Sequence, residues 1–204
     1  MSFQERPFDL VSGDLYLEAM LHEGEGAMTA LVLHPHPQYG GDMDNHVVVA
    51  ACHALAVGGA TTLRFNFRGA GRSQGAFDDG RGEADDARAA IAALRALKPD
   101  APVLLAGYSF GAMIAAAIAT ETAPVGLALV SPPLRMGQLP PSPDGLPVLV
   151  ITGDRDPVCP AQAALGLASD AVRVVVVPGV DHGWWPGVDA LEAELLAFER
   201  GLPL

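Results

Sequence analysis

The stretch that most limits what this chain can fold into runs from Val103 to Thr120. It opens with VLLA, a short unbroken apolar run of the kind that forms a strand buried on both faces. Gly107-Tyr108-Ser109-Phe110-Gly111 comes next, and then AMIAAAIAT, apolar and rich in helix-forming alanine. A strand that turns at once into a helix brings its backbones too close for side chains at the crossing points, and glycines at 107 and 111 meet that demand. The turn leaves the Ser109 hydroxyl at the top of a sheet. There the free N–H groups of a helix start favour negative charge.

Apolar runs alternate with helical patterns along the rest of the chain. Residues 8–22 alternate in part around Gly13-Asp14, a hairpin signal. TALVL within residues 27–33 predicts a buried strand, stopped by Pro35 and Pro37. Asn45 is an N-cap for a helix over 46–57, which Gly58-Gly59 ends. ATTLRFNF is the next strand and leads into a long Gly-rich loop. Ala84, Ala87, Ile91 and Leu94 share one face of a helix expected over 83–98, with Asp78, Asp79, Glu83, Asp85 and Asp86 as a solvated, dipole-matched start. Strands follow at VGLALVS, PVLVITGD and VRVVVVPG, with helices expected over 160–168 and 188–200.

Continuous apolar strands alternating with helices predict a doubly wound α/β fold. Its central sheet would be mostly parallel, of about 7–8 strands, flanked by helices in a single domain over residues 1–204. Ligands in such folds bind beyond the carboxyl ends of the strands, so the residues just after each strand are the ones to examine.

Those positions suit acyl-transfer chemistry. A serine hydroxyl needs a base to take its proton, and the base needs a third group to orient it. Gly-x-Ser-x-Gly between a strand and a helix is the nucleophile elbow, and its partners are expected in the order Ser, acid, His. GDRDPV offers Asp154 and Asp156 after one strand, and His182 follows the next, the single histidine downstream of Ser109. Asp156 stands farther from its strand and is the expected acid, while Asp154 suits a bond to the loop backbone. Two backbone N–H donors are needed for an oxyanion hole. Phe110 is one. The other lies in HPHPQYGG, where Pro35 and Pro37 cannot donate and His36, Gln38 and Tyr39 remain. Gln38, Tyr39 and Trp184 are candidate walls of a substrate pocket, with either Trp184 or Trp185 packed into the core.

GYSFGA, GDRDPV and DHGWW resemble the three catalytic blocks of the α/β-hydrolase superfamily. HPHPQYGGDMDN and FNFRGAGRSQGAFDDGRGEADD are similar to a branch of small, lidless bacterial hydrolases related to dienelactone hydrolases and carboxylesterases. The resemblance covers nearly the whole chain. It supports Asp156, since the triad acid of the superfamily matches the second Asp of G-D-x-D-x-V, and it favours His36 as second oxyanion donor. One departure is the nucleophile, a serine here and a cysteine in the dienelactone type. The resemblance implies a serine hydrolase of carboxylic esters that needs no cofactor. Thioesters and peptides suit the same triad, and a non-catalytic binding module is the alternative outside enzymes. Superfamily caps enter before the Asp loop, where residues 131–146 are short and Pro-rich, so an open site is expected, suited to small or short-chain acyl groups or to a substrate presented on a larger molecule.

Other readings fare less well. His34 and His36 with Asp42, Asp44 and His46 match no closed zinc spacing, so no metal is expected. Arg68-Gly69-Ala70-Gly71-Arg72-Ser73 lacks the ending of a phosphate-binding P-loop, and Arg68 is expected to pin loops by ion pairs. With 24 acidic against 12 basic residues and a net charge of −12, the chain lacks the basic footprint that nucleic acid or an anionic membrane requires. Cys52 and Cys159 form no disulfide framework, and MSFQERPFDL has no apolar signal core, so the expected setting is the cytoplasm. The oligomeric state is left open.

Overall fold

The structure, a computed structural model, describes residues 3–203; residues 1, 2 and 204 of the expected 1–204 unit lie outside the described residues. Strands β1 (Arg6–Ser12) and β2 (Leu15–His22) form the hairpin signalled by Gly13-Asp14. Gly13 sits at φ 58, the left-handed value that a two-residue hairpin turn needs. Strands β3 (Thr29–Leu33), β4 (Thr61–Phe65), β5 (Val103–Tyr108), β6 (Gly126–Val130), β7 (Val148–Gly153) and β8 (Val172–Val177) complete one eight-stranded sheet. The order is β1-β2-β4-β3-β5-β6-β7-β8, antiparallel from β1 to β4 and parallel from β4 to β8.

The chain steps from β3 to β4 on one side and later resumes at β5 on the other. The switch point therefore lies between β3 and β5, where ligands of doubly wound sheets bind. The loops leaving these two strands begin at His34 and Ser109.

Helices α1 (His46–Gly58) and α5 (Val188–Arg200) cover one face. Helices α2 (Arg81–Leu97) and α3 (Phe110–Thr122) cover the other. The period-2 alternation of β5 explains why an unbroken apolar run is required. Val103 and Leu105 enter the α2–α3 core, whereas Leu104, Ala106 and Tyr108 enter the α1–α5 core. Each such buried side chain contributes roughly 1.5–3 kcal/mol of transfer free energy.

Helix starts follow local chemistry. Asn45 caps α1 by accepting the Val47 N–H at 3.0 Å. α2 begins two residues before the expected 83, because Glu83 accepts the N–H groups of Asp78 (2.9 Å) and Gly80 (2.8 Å). That start is not solvated as expected: Glu83 and Asp86 are fully buried. Asp86 accepts the Arg68 backbone N–H at 2.9 Å and its guanidinium at 2.7 and 3.0 Å. The helix expected over 160–168 is only α4 (Ala161–Leu165). Between β6 and β7 the chain forms no helix or strand. Among the described residues no helix is long and apolar enough to cross a membrane.

Candidate active site

Ser109 is the pivot of the β5–α3 turn, at φ 54 and ψ −115. A non-glycine residue there is strained by about 1–3 kcal/mol, held in place by its surroundings. The surroundings are tight. A Cβ on Gly107 would stand 2.3 Å from the Gly111 carbonyl oxygen, and one on Gly111 would stand 2.3 Å from that of Leu33. Both glycines are therefore fixed by backbone crossings, as the motif predicts.

His182 Nε2 lies 3.1 Å from Ser109 Oγ, and its Nδ1 lies 3.0 and 2.9 Å from the two Asp156 oxygens. The three residues come from the loops after β5, β7 and β8, so only the folded sheet brings them together. The Asp156 side chain is fully buried. Its Oδ1 also accepts the N–H groups of Val158 at 2.8 Å and Cys159 at 2.9 Å. Burial alone would raise its pKa. The bonds from His182, from Cys159 N–H and from the Ser131 side chain outweigh that and hold it below the usual carboxylate range. Asp154 is exposed and accepts the Gly179 N–H at 2.7 Å, tying the β7 loop to the β8 loop.

The loop after β3 is ordered by His34, which is fully buried. Its Nδ1 lies 2.6 Å from the Pro35 carbonyl and its Nε2 accepts the Phe67 N–H at 3.0 Å. Burial pushes its pKa down to about 4, so the ring is neutral and both nitrogens are engaged. The three candidate donors of this loop differ in availability. Gln38 N–H is spent on His36 Nδ1 at 3.2 Å and Tyr39 N–H on the His36 carbonyl at 3.1 Å. Among the described residues, the His36 and Phe110 N–H groups donate to no protein acceptor. The His36 and Phe110 rings pack with centroids 4.8 Å apart.

Beside Ser109 lies an open cleft of about 930 Å³. Its walls are mostly apolar, and Asp79 and Arg81 are the exposed charges on its lining. Tyr39 lines it and is 82 % exposed. Two expectations are corrected. Gln38 points to solvent and does not line the cleft, because its short 3-10 turn (Pro37–Tyr39) turns it outward. Trp184 is fully buried in the α1–α5 core and is no wall of the cleft. Trp185 is the exposed one, stacked on His46 with centroids 4.0 Å apart.

Sequence reasoning missed three supports. Trp184 Nε1 donates to Ser131 Oγ at 2.8 Å. The Tyr108 hydroxyl donates to the His182 carbonyl. Thr152 Oγ1 bonds the Cys159 carbonyl at 2.9 Å, beneath Asp156. Ser131 directly follows β6, so the rule of looking after each strand pointed to its position without revealing its partner.

The sheet order, the strained serine at the β5–α3 turn and the lidless cleft define an α/β hydrolase. The comparisons narrow this. The model of the family described as serine aminopeptidase, S33, matches residues 40–146, and the chain belongs to that family of α/β serine hydrolases. The matched stretch contains Ser109 and ends before the loops of Asp156 and His182. An uncharacterized protein of Rickettsia prowazekii is 43 % identical over 172 residues, covering 76 % of this chain and 71 % of that protein. A crystal structure from Xanthomonas campestris, described as a member of the α/β serine hydrolases without lid, is similar at 32 % identity and TM-score 0.89. That likeness covers 100 % of this chain and 98 % of the other. An α-β serine hydrolase homologue from Coxiella burnetii is similar at 32 % identity and TM-score 0.84, over 97 % and 98 % of the two chains.

Proposed function

We propose that this chain hydrolyses carboxylic esters through Ser109, His182 and Asp156. The observation that carries the reading is the single imidazole bonded at one nitrogen to Ser109 Oγ (3.1 Å) and at the other to Asp156 (2.9 Å). His182 Nε2 accepts the hydroxyl proton as Oγ attacks the acyl carbonyl. Asp156 holds the ring with Nδ1 protonated and stabilises the imidazolium. The N–H groups of Phe110 and His36 receive the oxyanion, each such donor being worth roughly 10²–10³ in rate. His182 then protonates the departing alkoxide and activates the water that releases the acid. The buried free thiols of Cys52 and Cys159 support work in a reducing compartment such as the cytoplasm.

The test is labelling with a fluorophosphonate and location of the adduct by mass spectrometry. Label on Ser109 that is lost in His182→Ala is the expected result. A folded protein that takes no label overturns the reading.

The family description favours one second reading, an aminopeptidase. Such an enzyme must neutralise a free ammonium group. The cleft's exposed carboxylate, Asp79, is accompanied by Arg81 of opposite charge, so the site has no net negative pole, and esters are the better fit. Turnover of aminoacyl anilides in preference to the matching esters would reverse that ranking.

A further inference from the structure

The cleft beside Ser109 is larger than a short acyl group requires. Its volume of about 930 Å³ is at the upper end of the roughly 300–1,000 Å³ of small-molecule sites. From the nucleophile it follows α3: Ser109, Met113 and Ala117 all line it. Residues four apart share a helix face, and eight residues span about 12 Å along the axis. The facing wall is the β6–β7 segment, through Pro133, Met136 and Pro140. Met136 is 76 % exposed, an apolar side chain held in water at the groove's edge.

The two faces of the sheet decide which part of an ester enters this groove. Ile114 of α3, with Phe110, Leu134 and Leu139, packs in the α2–α3 layer. Val180 and Trp184, on either side of His182, belong to the opposite α1–α5 layer. The leaving group takes its proton from His182 and departs on that side. His182 lines the cleft beside Ser109, and the stretch along α3 through Met113 and Ala117 extends beyond it, so that stretch receives the acyl portion.

We propose that the α3 groove is a binding site for an uncharged, unbranched acyl chain of medium length. An extended chain advances about 1.3 Å per carbon, given C–C bonds of about 1.5 Å, so a 12 Å groove accommodates roughly eight to ten carbons. This deepens the ester-hydrolase reading, on which it rests, and replaces the short-chain preference that the lidless sequence suggested.

The experiment measures kcat/KM on p-nitrophenyl esters with acyl chains from acetyl to tetradecanoyl, each below its micelle concentration. It uses the wild type, Ala117→Trp and Met136→Glu. In the wild type the value should rise roughly two- to fourfold per methylene, to a maximum near octanoyl or decanoyl. In both variants the ratio of decanoyl to butanoyl values should fall at least tenfold, from opposite walls of the groove. A wild-type optimum at acetyl to butanoyl, a flat profile, or unchanged ratios in both variants overturns the acyl site. If Ser109 still takes the fluorophosphonate, the hydrolase reading survives that result. No ester turnover together with no labelling removes both.

Discussion

The indole N–H of Trp184 and the hydroxyl of Ser131 meet at 2.8 Å, both fully buried. The bond joins the loop after β6 to the loop that carries His182, two residues from Trp184. Both residues have left-handed backbones, at φ 61 and φ 45, an outlier for a side chain as bulky as tryptophan. Trp184→Phe would keep most of the packing and leave Ser131 without its donor. The expected cost is about 1–3 kcal/mol. It should be read as a lower melting temperature and a lower kcat with KM nearly unchanged, because the His182 loop loses its anchor.

Substitutions at the nucleophile should separate activity from stability. Ser109→Ala and Ser109→Gly should each lower kcat by about 10⁶ if the triad acts as a unit. Their stabilities should differ. Glycine adopts φ 54 without strain, so Ser109→Gly should melt above Ser109→Ala by the equivalent of about 1 kcal/mol. Equal melting temperatures would show that the turn stores no strain.

Asp156→Asn should keep the fold and reduce kcat by about 10⁴, since an amide favours the wrong imidazole tautomer. Steady-state kinetics, with circular dichroism to verify folding, checks this. A loss below tenfold would point to another residue as the orienting acid.

Asp86 takes three hydrogen bonds from Arg68 in a fully buried position. Removing one partner of a buried pair costs roughly 3–5 kcal/mol. Asp86→Ala should therefore lower the denaturant midpoint strongly, although Asp86 does not line the cleft. Chemical denaturation measures it.

Glu199 is buried at the end of α5, with Oε2 lacking a hydrogen-bond partner. A methyl group on Gly58 of α1 would collide with its carboxylate. Burial pushes its pKa up from 4.5 to about 7, against a smaller opposing effect of Arg200. A raised carboxyl pKa means that the folded state binds the proton more tightly. Its contribution to stability is present below pH 4.5 and is lost as pH rises toward 7. The full shift corresponds to about 3 kcal/mol. Glu199→Gln should accordingly be more stable than wild type at pH 8 and nearly equal to it at pH 4.5. A difference independent of pH would show that Glu199 ionises normally.

Much of the molecule was written in local signals. The VLLA run, the Gly107 and Gly111 spacing, the Gly13-Asp14 hairpin and the Asn45 cap each act over a few residues, so periodicity and turn chemistry suffice to read them. Asp156 and His182 were legible as candidates because the fold class limits where functional residues can stand, and both lie in the loops that follow strands β7 and β8. What the sequence could not decide was which of several equivalent groups meets a distant partner. Gln38 and Tyr39 N–H groups are consumed by a 3-10 turn, and His36 is left free, a matter of backbone direction. Trp184 and Trp185 are chemically identical neighbours. The left-handed backbone at 184 sends one indole to Ser131 in the core and leaves the other on His46 at the surface. Glu83 and Asp86 looked like a solvated helix start until the β4 loop closed over them with Arg68. Sequence by itself determined the strand–turn–helix framework and the chemistry placed at its loop ends. Tertiary structure alone decided burial, pairing and the course of the cleft, because these depend on contacts between residues that no local pattern relates.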